Sequence, residues 1–292
     1  MVSSQLIDSA ISKIFFLCAA SSIFIVFGIF IYILDMGLPQ LQDWILNGFG
    51  LLWDPYTSGL YGILSMAFYT LYTATGATVM ATAIGIPCAI YLAEYANNKI
   101  RNIIKPSLEV LTSMPSILVG LVGVVLIVLT IQKVFNLSGS GIGVMAAWIV
   151  LFVLALPLVA SIAEDAIRAV PSELKEASLA LGATQWQTTL KVSLPGAKSG
   201  ILTALILALG SSIGETMAVW MVIGGGMYPS IAPSLTYLFG SVDTIPTLIA
   251  ANYKQGEITL DLLPALMGAA FILFVIVGGL NVILRRFIQK KQ

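Results

Sequence analysis

Apolar residues fall into six long runs along the chain, separated by shorter polar segments. The runs cover approximately residues 12–34, 66–92, 108–132, 142–162, 198–222 and 262–284. A helix that crosses a bilayer needs roughly 20 mostly apolar residues, and each run reaches about that length. Because lipid offers no partner to an unpaired backbone group, each run is expected to be helical. The pattern predicts an all-α polytopic membrane protein with six transmembrane helices.

Lysines and arginines are unevenly distributed between the two sides of these spans. If the N-terminus is cytoplasmic, the cytoplasmic side holds twelve of them, namely Lys13, Lys99, Arg101, Lys105, Arg168, Lys175, Lys191, Lys198, Arg285, Arg286, Lys290 and Lys291. The opposite side holds Lys133 and Lys254. Because cytoplasmic loops carry the excess of basic residues, both termini are predicted to be cytoplasmic.

Two longer segments are predicted to lie on the external side, at about 35–65 and 223–261. The first contains Trp44 and Trp53, which suit a loop that rests at the membrane interface. The second contains Gly- and Pro-rich stretches that indicate turns. Its apolar TLIAA sequence indicates a short helix docked on protein or lipid.

The segment 173–195, ELKEASLALGATQWQTTLKVSLP, is polar and lies between the fourth and fifth spans. Ser172 is a candidate N-cap for a first short helix, and Gly182 is suited to end it in a left-handed conformation. Thr184 and Gln187 have the spacing of a capping box at the start of a second helix. The sequence therefore predicts two short helices joined at a glycine.

One narrow face of the first helix is small and apolar, because Leu174, Ala177, Ser178 and Leu181 follow helical spacing. The second helix carries apolar side chains and is predicted to stop at Leu194–Pro195. From local pattern alone, two interpretations stay open. The pair projects from the membrane as a docking element, or it is an amphipathic connector on the lipid surface.

Composition narrows the chemistry that the chain can support. Of 292 residues, 58% are hydrophobic and 10% are charged, against about 25% charged in ordinary soluble domains. The net charge is zero, which gives no support for nucleic-acid binding. The chain has no histidine, no Cys–His arrangement and no GxxxxGK[ST] loop. We therefore expect no catalytic residue, no metal site and no cofactor, and a membrane hydrolase or transferase is disfavoured.

The same polar segment carries a family resemblance. Glu176, Ala177 and Ser178 are followed after three residues by Gly182, and nine residues later by the sequence VSLP, which ends in Leu194 and Pro195. This spacing resembles the EAA–x3–G–x9–I–x–LP signature of ABC importer permeases. The resemblance implies that these six residues belong to a coupling loop, at about 164–197, that docks on a cytoplasmic ATPase.

The resemblance extends over roughly residues 60–225 and narrows the family. IYLAEYA at 90–96 and SMPSILVGLVGV at 113–124 are similar to phosphate-importer permease subunits. GETMAV at 214–219 resembles the C-type more than the A-type subunit of that family. The resemblance implies the MetI-like fold of type I ABC importers. It also implies four kinds of partner: a paralogous permease, two ABC ATPase subunits, an extracytoplasmic phosphate-binding protein and the lipid bilayer.

On this basis the chain is divided into three parts. Residues 1–65 would hold the first transmembrane helix and an external loop. Residues 66–284 would form the permease core, and residues 285–292 would form a cytoplasmic basic tail. The expected location is the inner or plasma membrane.

Glu215 is the one ionisable residue well inside a predicted span. A charge at membrane depth costs at least about 2.5–3.5 kcal/mol, so such residues usually face a bundle interior or a cavity. Ser211, Ser212 and Thr216 surround it in sequence and could supply hydrogen-bond donors. Glu215 either lines the substrate pathway, protonated or holding an arginine, or makes a structural contact between helices.

The chain departs from the phosphate family at one position. The family usually has an arginine one turn before this glutamate, and Ser211 stands there instead. The positive charge for a phosphate would then come from the partner subunit or from backbone N–H groups. Alternatively, the substrate is another oxyanion such as molybdate or sulfate, or the chain is a structural membrane subunit.

Overall fold

The computed structural model describes residues 2–55, 58–137, 139–225, 238–254 and 262–289. The helices in these ranges are α1 (Val2–Asn47), α2 (Leu64–Ile90), α3 (Asn98–Ser113), α4 (Ser116–Val122), α5 (Leu129–Val134), α6 (Val144–Arg168), α7 (Ser172–Ala180), α8 (Gln185–Thr188), α9 (Leu194–Gly196), α10 (Lys198–Gly214), α11 (Met217–Ile223), α12 (Ile245–Lys254) and α13 (Leu262–Gln289). Three π-helical segments, Tyr91–Tyr95, Gly123–Val128 and Thr189–Ser193, continue α2, α4 and α8. Parts of the predicted external loop 223–261 and of the basic tail 285–292 lie outside the described residues.

The helical architecture confirms the all-α prediction. Among the described residues, five helices are long and apolar enough to cross a membrane, and the count is six if the bent pair Gln185–Gly196 and Lys198–Gly214 is taken as one span. The bend between the two members of this pair is 67°. The predicted short external helix is present as α12.

The first external loop is shorter than predicted. α1 continues to Asn47 and accommodates Pro39 inside the helix, so residues 35–47 are helical. A small antiparallel hairpin follows, in which Trp53 pairs with Tyr61. Trp44 and Trp53 are buried against α12 and α13, so their predicted position at the lipid interface is wrong.

The third span begins later than predicted. Residues 108–113 belong to α3, an amphipathic helix, and the membrane helix runs from Ser116 to Val134. Met114 adopts an extended conformation before Pro115, because a residue that precedes proline is disfavoured in the helical region. The fourth span also runs six residues past its predicted end, to Arg168.

The core is built around α6, which packs along α2 and α10. Small residues allow these helices to approach closely. A Cβ added to Gly76 of α2 would lie 2.2 Å from the Trp148 ring of α6, and one added to Gly85 would lie 2.9 Å from Val159. Gly200 of α10 meets Ala166 of α6 in the same way. α1, by contrast, lies at the edge of the bundle, where its most apolar window contains no buried residue.

The amphipathic helix α3 is attached to the end of α6 by ion pairs. Glu164 is fully buried, and its carboxylate contacts Arg101 at 2.8 Å and Lys105 at 2.6 Å. Lys105 also pairs with Asp165, and Arg168 lies 3.7 Å from Glu164. α3 has no buried residue of its own. Its position on the bundle therefore depends strongly on these charges.

Arg101 and Lys105 remain charged at neutral pH. The hydrogen bond to Glu164 raises the pKa of Arg101. Partial burial lowers the pKa of Lys105, but its hydrogen bonds to Asp165 and Glu164 outweigh this effect and leave the pKa raised. Because the pKa of Lys105 is higher in the folded protein than in the unfolded chain, its charged form stabilises the fold at every pH below the ordinary lysine pKa. This contribution is lost only as the pH rises through the raised pKa. The cluster therefore persists across the neutral range.

Glu164 is a second buried carboxylate that the predicted spans did not include. The predicted fourth span ended at residue 162, which left Glu164 outside it. Because α6 continues to Arg168, Glu164 lies in the last turns of the helix, and it is more buried than Glu215.

Replacing Glu164 should destabilise the protein much more than replacing its neighbour. Glu164→Gln should lower the free energy of unfolding by about 3 kcal/mol, because the buried carboxylate that contacts both Arg101 and Lys105 is lost and Lys105 keeps only its pair with Asp165. The Asp165 side chain is 60% exposed, so Asp165→Asn should cost less than about 1 kcal/mol. Thermal unfolding of the two purified variants in detergent measures the difference, and equal losses would contradict the assigned burial.

Candidate functional site

The predicted helix–glycine–helix is present as the segment 172–196, which we call the coupling segment. α7 ends at Ala180, and Gly182 follows with a positive φ of 86°. The N–H of Gly182 donates to the carbonyl of Leu179, and the N–H of Ala183 donates to that of Ser178. The left-handed glycine therefore ends α7 as the sequence predicted.

The start of α7 differs from the prediction. Ser172 is the first residue of the helix, and Pro171 occupies the N-cap position without a side-chain hydrogen bond. Pro171 has no side-chain acceptor, and its fixed φ directs the chain into the helix at Ser172. The predicted N-cap role of Ser172 is therefore wrong.

The second helix begins as predicted and ends slightly later. Thr184 accepts from the N–H of Gln187 at 3.3 Å, and the Gln187 side chain accepts from the N–H of Thr184 at 2.9 Å. The helical path continues past the predicted end at Leu194–Pro195 to Gly196. The hydroxyls of Ser178 and Thr188 lie 2.9 Å apart and join α7 to α8. The two helices thus form one unit.

The coupling segment presents apolar side chains that the chain itself does not cover. The exposed large residues on it are Leu174, Leu179, Leu181, Trp186 and Leu190. Leu181, beside the glycine, is 89% exposed. Grouped exposed apolar side chains mark sites of protein–protein contact. Such a surface can bind a partner groove.

The six predicted coupling residues take different positions on this unit. Glu176, Ala177, Gly182 and Pro195 are exposed, and Ser178 is half-buried in its contact with Thr188. Leu194 is half-buried and packs against the apolar cluster formed by α2, α6 and α10. Sequence reasoning missed Leu179, because the predicted narrow face did not include it.

The second candidate site is an interruption of the fifth span. α10 ends at Gly214, Glu215 has φ −69° and ψ 122°, and α11 begins at Met217. The Glu215 carboxylate accepts a hydrogen bond from the N–H of Ala218 at 3.2 Å. The predicted continuous helix over 198–222 is therefore wrong, because Glu215 is extended and caps the second half.

The structure places the other predicted pathway residues unevenly around Glu215. The Thr216 hydroxyl donates to the carbonyl of Gly214 at 3.1 Å, inside the interruption. Ser211 is exposed and Ser212 is buried, so the two serines lie on different faces of α10. Thr216 thus shares the non-helical stretch with Glu215, whereas the serines belong to the helix before it.

Beside this interruption lies the beginning of the third span. A Cβ added to Gly120 of α4 would lie 2.9 Å from the Cα of Ala218 in α11. α4 follows the break at Pro115, and α11 follows the break at Glu215. The first turns of the third span therefore pack against α11, the second half of the interrupted fifth span. In transporters, such discontinuous helices are typical of substrate sites.

Comparisons with known proteins identify the family of the chain. Residues 85–290 match the family described as "Binding-protein-dependent transport system inner membrane component". The chain is 35% identical to the probable ABC transporter permease protein YqgH of Bacillus subtilis, over 74% of this chain and 71% of the relative. It is 31% identical to the phosphate transport system permease protein PstC of Xylella fastidiosa, over 80% of this chain and 75% of the relative.

A solved structure shows the same fold. The inward-facing methionine ABC transporter MetNI aligns with a TM-score of 0.62 and 21% identity, covering 79% of this chain and 96% of the transporter chain. At this identity the likeness concerns the fold alone, and it confirms the predicted MetI-like architecture. The chain therefore belongs to the family of binding-protein-dependent transport system inner membrane components, the permease subunits of ABC importers.

Proposed function

We propose that this permease imports inorganic phosphate. The observation that carries the proposal is the 31% identity to PstC, a phosphate permease, over four-fifths of the chain. The segment IYLAEYA, which resembles phosphate permeases, lies in the π-helical turn that continues α2, and SMPSILVGLVGV lies at the start of the third span. A permease for another oxyanion, such as molybdate or sulfate, is the second candidate, because Ser211 stands where the family usually has arginine.

The coupling segment is the proposed docking element for an ABC ATPase. Its exposed apolar side chains give it a surface suited to a groove on a soluble partner. The excess of lysine and arginine on the same side of the membrane supports a cytoplasmic location for the segment and for both termini. Two ATPase subunits would engage this chain and a paralogous permease that completes the pathway.

An external phosphate-binding protein would deliver the substrate to the opposite side. There the chain presents the hairpin of β1 (Trp53–Asp54) and β2 (Leu60–Tyr61) and the segment that contains α12. ATP binding and the loaded binding protein must both favour the outward-facing state, because a ligand shifts an equilibrium only by its differential affinity for the two states.

Glu215 is the proposed pathway residue of this chain. Its place in a span interruption puts its carboxylate beside the first turn of α11, where backbone N–H groups have no intrahelical partner. A protonated Glu215 can donate a hydrogen bond to phosphate, and an ionised one can hold an arginine. Since Ser211 carries no charge, the compensating positive charge would come from the paralogous partner or from backbone N–H groups.

Deleting the gene should reduce phosphate uptake and leave the uptake of other oxyanions unchanged. The measurement is uptake of labelled phosphate at low external phosphate, with sulfate and molybdate uptake as controls. Complementation with the intact gene should restore the wild-type rate. A loss of sulfate or molybdate uptake with normal phosphate uptake would replace the phosphate assignment with the second candidate.

Gly182→Val should uncouple ATP hydrolysis from uptake while part of the protein still assembles. The cause is the backbone conformation, since nothing lies within 4 Å of an added Cβ. A β-branched residue at positive φ raises the free energy of the native backbone by about 1–3 kcal/mol. If the segment relieves this strain by changing the orientation of its two helices, a loss of the same size in coupling free energy would reduce uptake by about 5- to 150-fold. Gly182→Asn is the matched control, because asparagine tolerates this conformation. Coupled transport by the valine variant would contradict the assigned role.

Replacing Glu215 should separate a pathway role from a capping role. Glu215→Gln keeps an oxygen that can accept from the N–H of Ala218 but removes the ionisable group. If Glu215 serves the pathway, this variant should assemble normally and lose uptake by roughly tenfold or more, a cost of about 1.4 kcal/mol. Glu215→Leu removes both functions and should also assemble poorly. Full uptake by the glutamine variant would contradict the pathway role and would show that Glu215 serves as a helix cap.

A further inference from the structure

Glu94 lies at the point where the second span meets the coupling segment. It belongs to the π-helical turn Tyr91–Tyr95 that ends this span, and Ala96 after it is extended. The Glu94 side chain is only 10% exposed. Both helices of the coupling segment reach this residue.

The two contacts with Glu94 use different parts of it. Lys175 of α7 places its Nζ 2.8 Å from the carboxylate Oε1. Gln185 of α8 donates from its side-chain amide to the main-chain carbonyl of Glu94 at 2.6 Å. This carbonyl stands at the end of a helix, where carbonyl groups lack an intrahelical partner. One residue of the second span is thus bound by both halves of the coupling segment.

Lys175 also contacts the fourth span. Its ammonium donates to the carbonyl of Ile167 at 3.2 Å, in the last turn of α6. A cation at this position is favourable, because the carbonyl end of a helix carries partial negative charge. A single ammonium group therefore joins α7 to the ends of both α2 and α6.

Apolar packing gives α7 little alternative attachment to the bundle. α7 contains no buried residue, and its large apolar side chains, Leu174 and Leu179, are exposed. Its bond through Ser178 leads to Thr188 and so stays within the coupling segment. A displacement of α7 would therefore reach the spans through the polar contacts of Lys175 more than through side-chain packing.

We propose that Glu94, Lys175 and Gln185 are positioning residues that pass the movement of the coupling segment to the second and fourth spans. The proposal rests on the function proposed above, in which an ATPase displaces this segment. It adds the route by which that displacement leaves the segment. The Glu94–Lys175 pair links α7 to the end of the second span, and the Lys175–Ile167 bond links α7 to α6. The bond from Gln185 to the Glu94 carbonyl makes α8 move together with the same end of the second span.

The test compares ATP hydrolysed per phosphate imported, using the whole transporter reconstituted in proteoliposomes with its binding protein and labelled inorganic phosphate. Glu94→Gln and Lys175→Gln should each raise this ratio at least about fivefold, the lower end of typical coupling between sites. Glu109→Gln and Lys99→Gln are matched controls, because both side chains lie on exposed positions of α3. These controls should keep the wild-type ratio.

Exchange of the two charges tests whether the pair itself matters. The double variant Glu94→Lys, Lys175→Glu restores the ion pair but cannot restore the donor to the Ile167 carbonyl. Its ratio should fall between those of the single variants and the wild type, a recovery that a general loss of stability would not produce. If a single variant fails to assemble, Gln185→Ala gives the same test with a neutral, exposed residue, and it should raise the ratio by a smaller factor.

The proposal would be overturned if Glu94→Gln, Lys175→Gln and Gln185→Ala all hydrolysed the same amount of ATP per phosphate imported as the two control variants. The phosphate assignment fails separately, when the wild-type transporter itself imports no phosphate. In that case the ratio is measured with the oxyanion that the wild type does import, and the same comparison decides whether the three residues pass the movement on.

Discussion

The close packing of α2 against α6 is the interaction on which the other parts of the protein depend. Glycines at positions 76 and 85 remove the side chains that would otherwise hold the two helices apart. Apolar side chains gain no hydrophobic free energy from leaving lipid for a helix–helix contact, so the contact depends on van der Waals fit. Once the pair is fixed, α10 and α11 pack on it, and the C-terminal ends of α2 and α6 lie side by side. That neighbourhood brings Glu94 and the Ile167 carbonyl within reach of one lysine.

The features that sequence predicted best are those set by neighbouring residues. The Thr184–Gln187 capping box and the left-handed Gly182 depend on contacts over three to five positions, and both are present. Hydropathy also found the spans. It failed at their ends, because hydropathy does not register that Met114 must become extended before a proline or that α1 can continue through Pro39.

The features that sequence missed are long-range. Glu164 and Arg101 are 63 residues apart, and Glu94 and Lys175 are 81 residues apart. No periodicity in a single sequence reveals which of several lysines meets which carboxylate. The interruption at Glu215 had a weak indication in the sequence, a glycine followed by a carboxylate. Sequence alone does not distinguish a carboxylate that caps the start of a helix from a buried charge inside a continuous one. The burial of Trp44 and Trp53 likewise depends on α12 and α13, far along the chain.

The interruption at Glu215 has a consequence for the energy needed to change the shape of the pore. An unbroken transmembrane helix resists bending, because a sharp kink separates hydrogen-bonded groups that lipid cannot satisfy. In this chain the backbone between Gly214 and Met217 has already left the helical ladder, and the Glu215 carboxylate holds the first turn of α11. The fifth span therefore consists of two helices, α10 and α11, joined by a short non-helical stretch. The helical hydrogen bonds that a bend would break are already absent there in the folded protein. Rotation at this joint would leave the helical hydrogen bonds within α10 and within α11 in place.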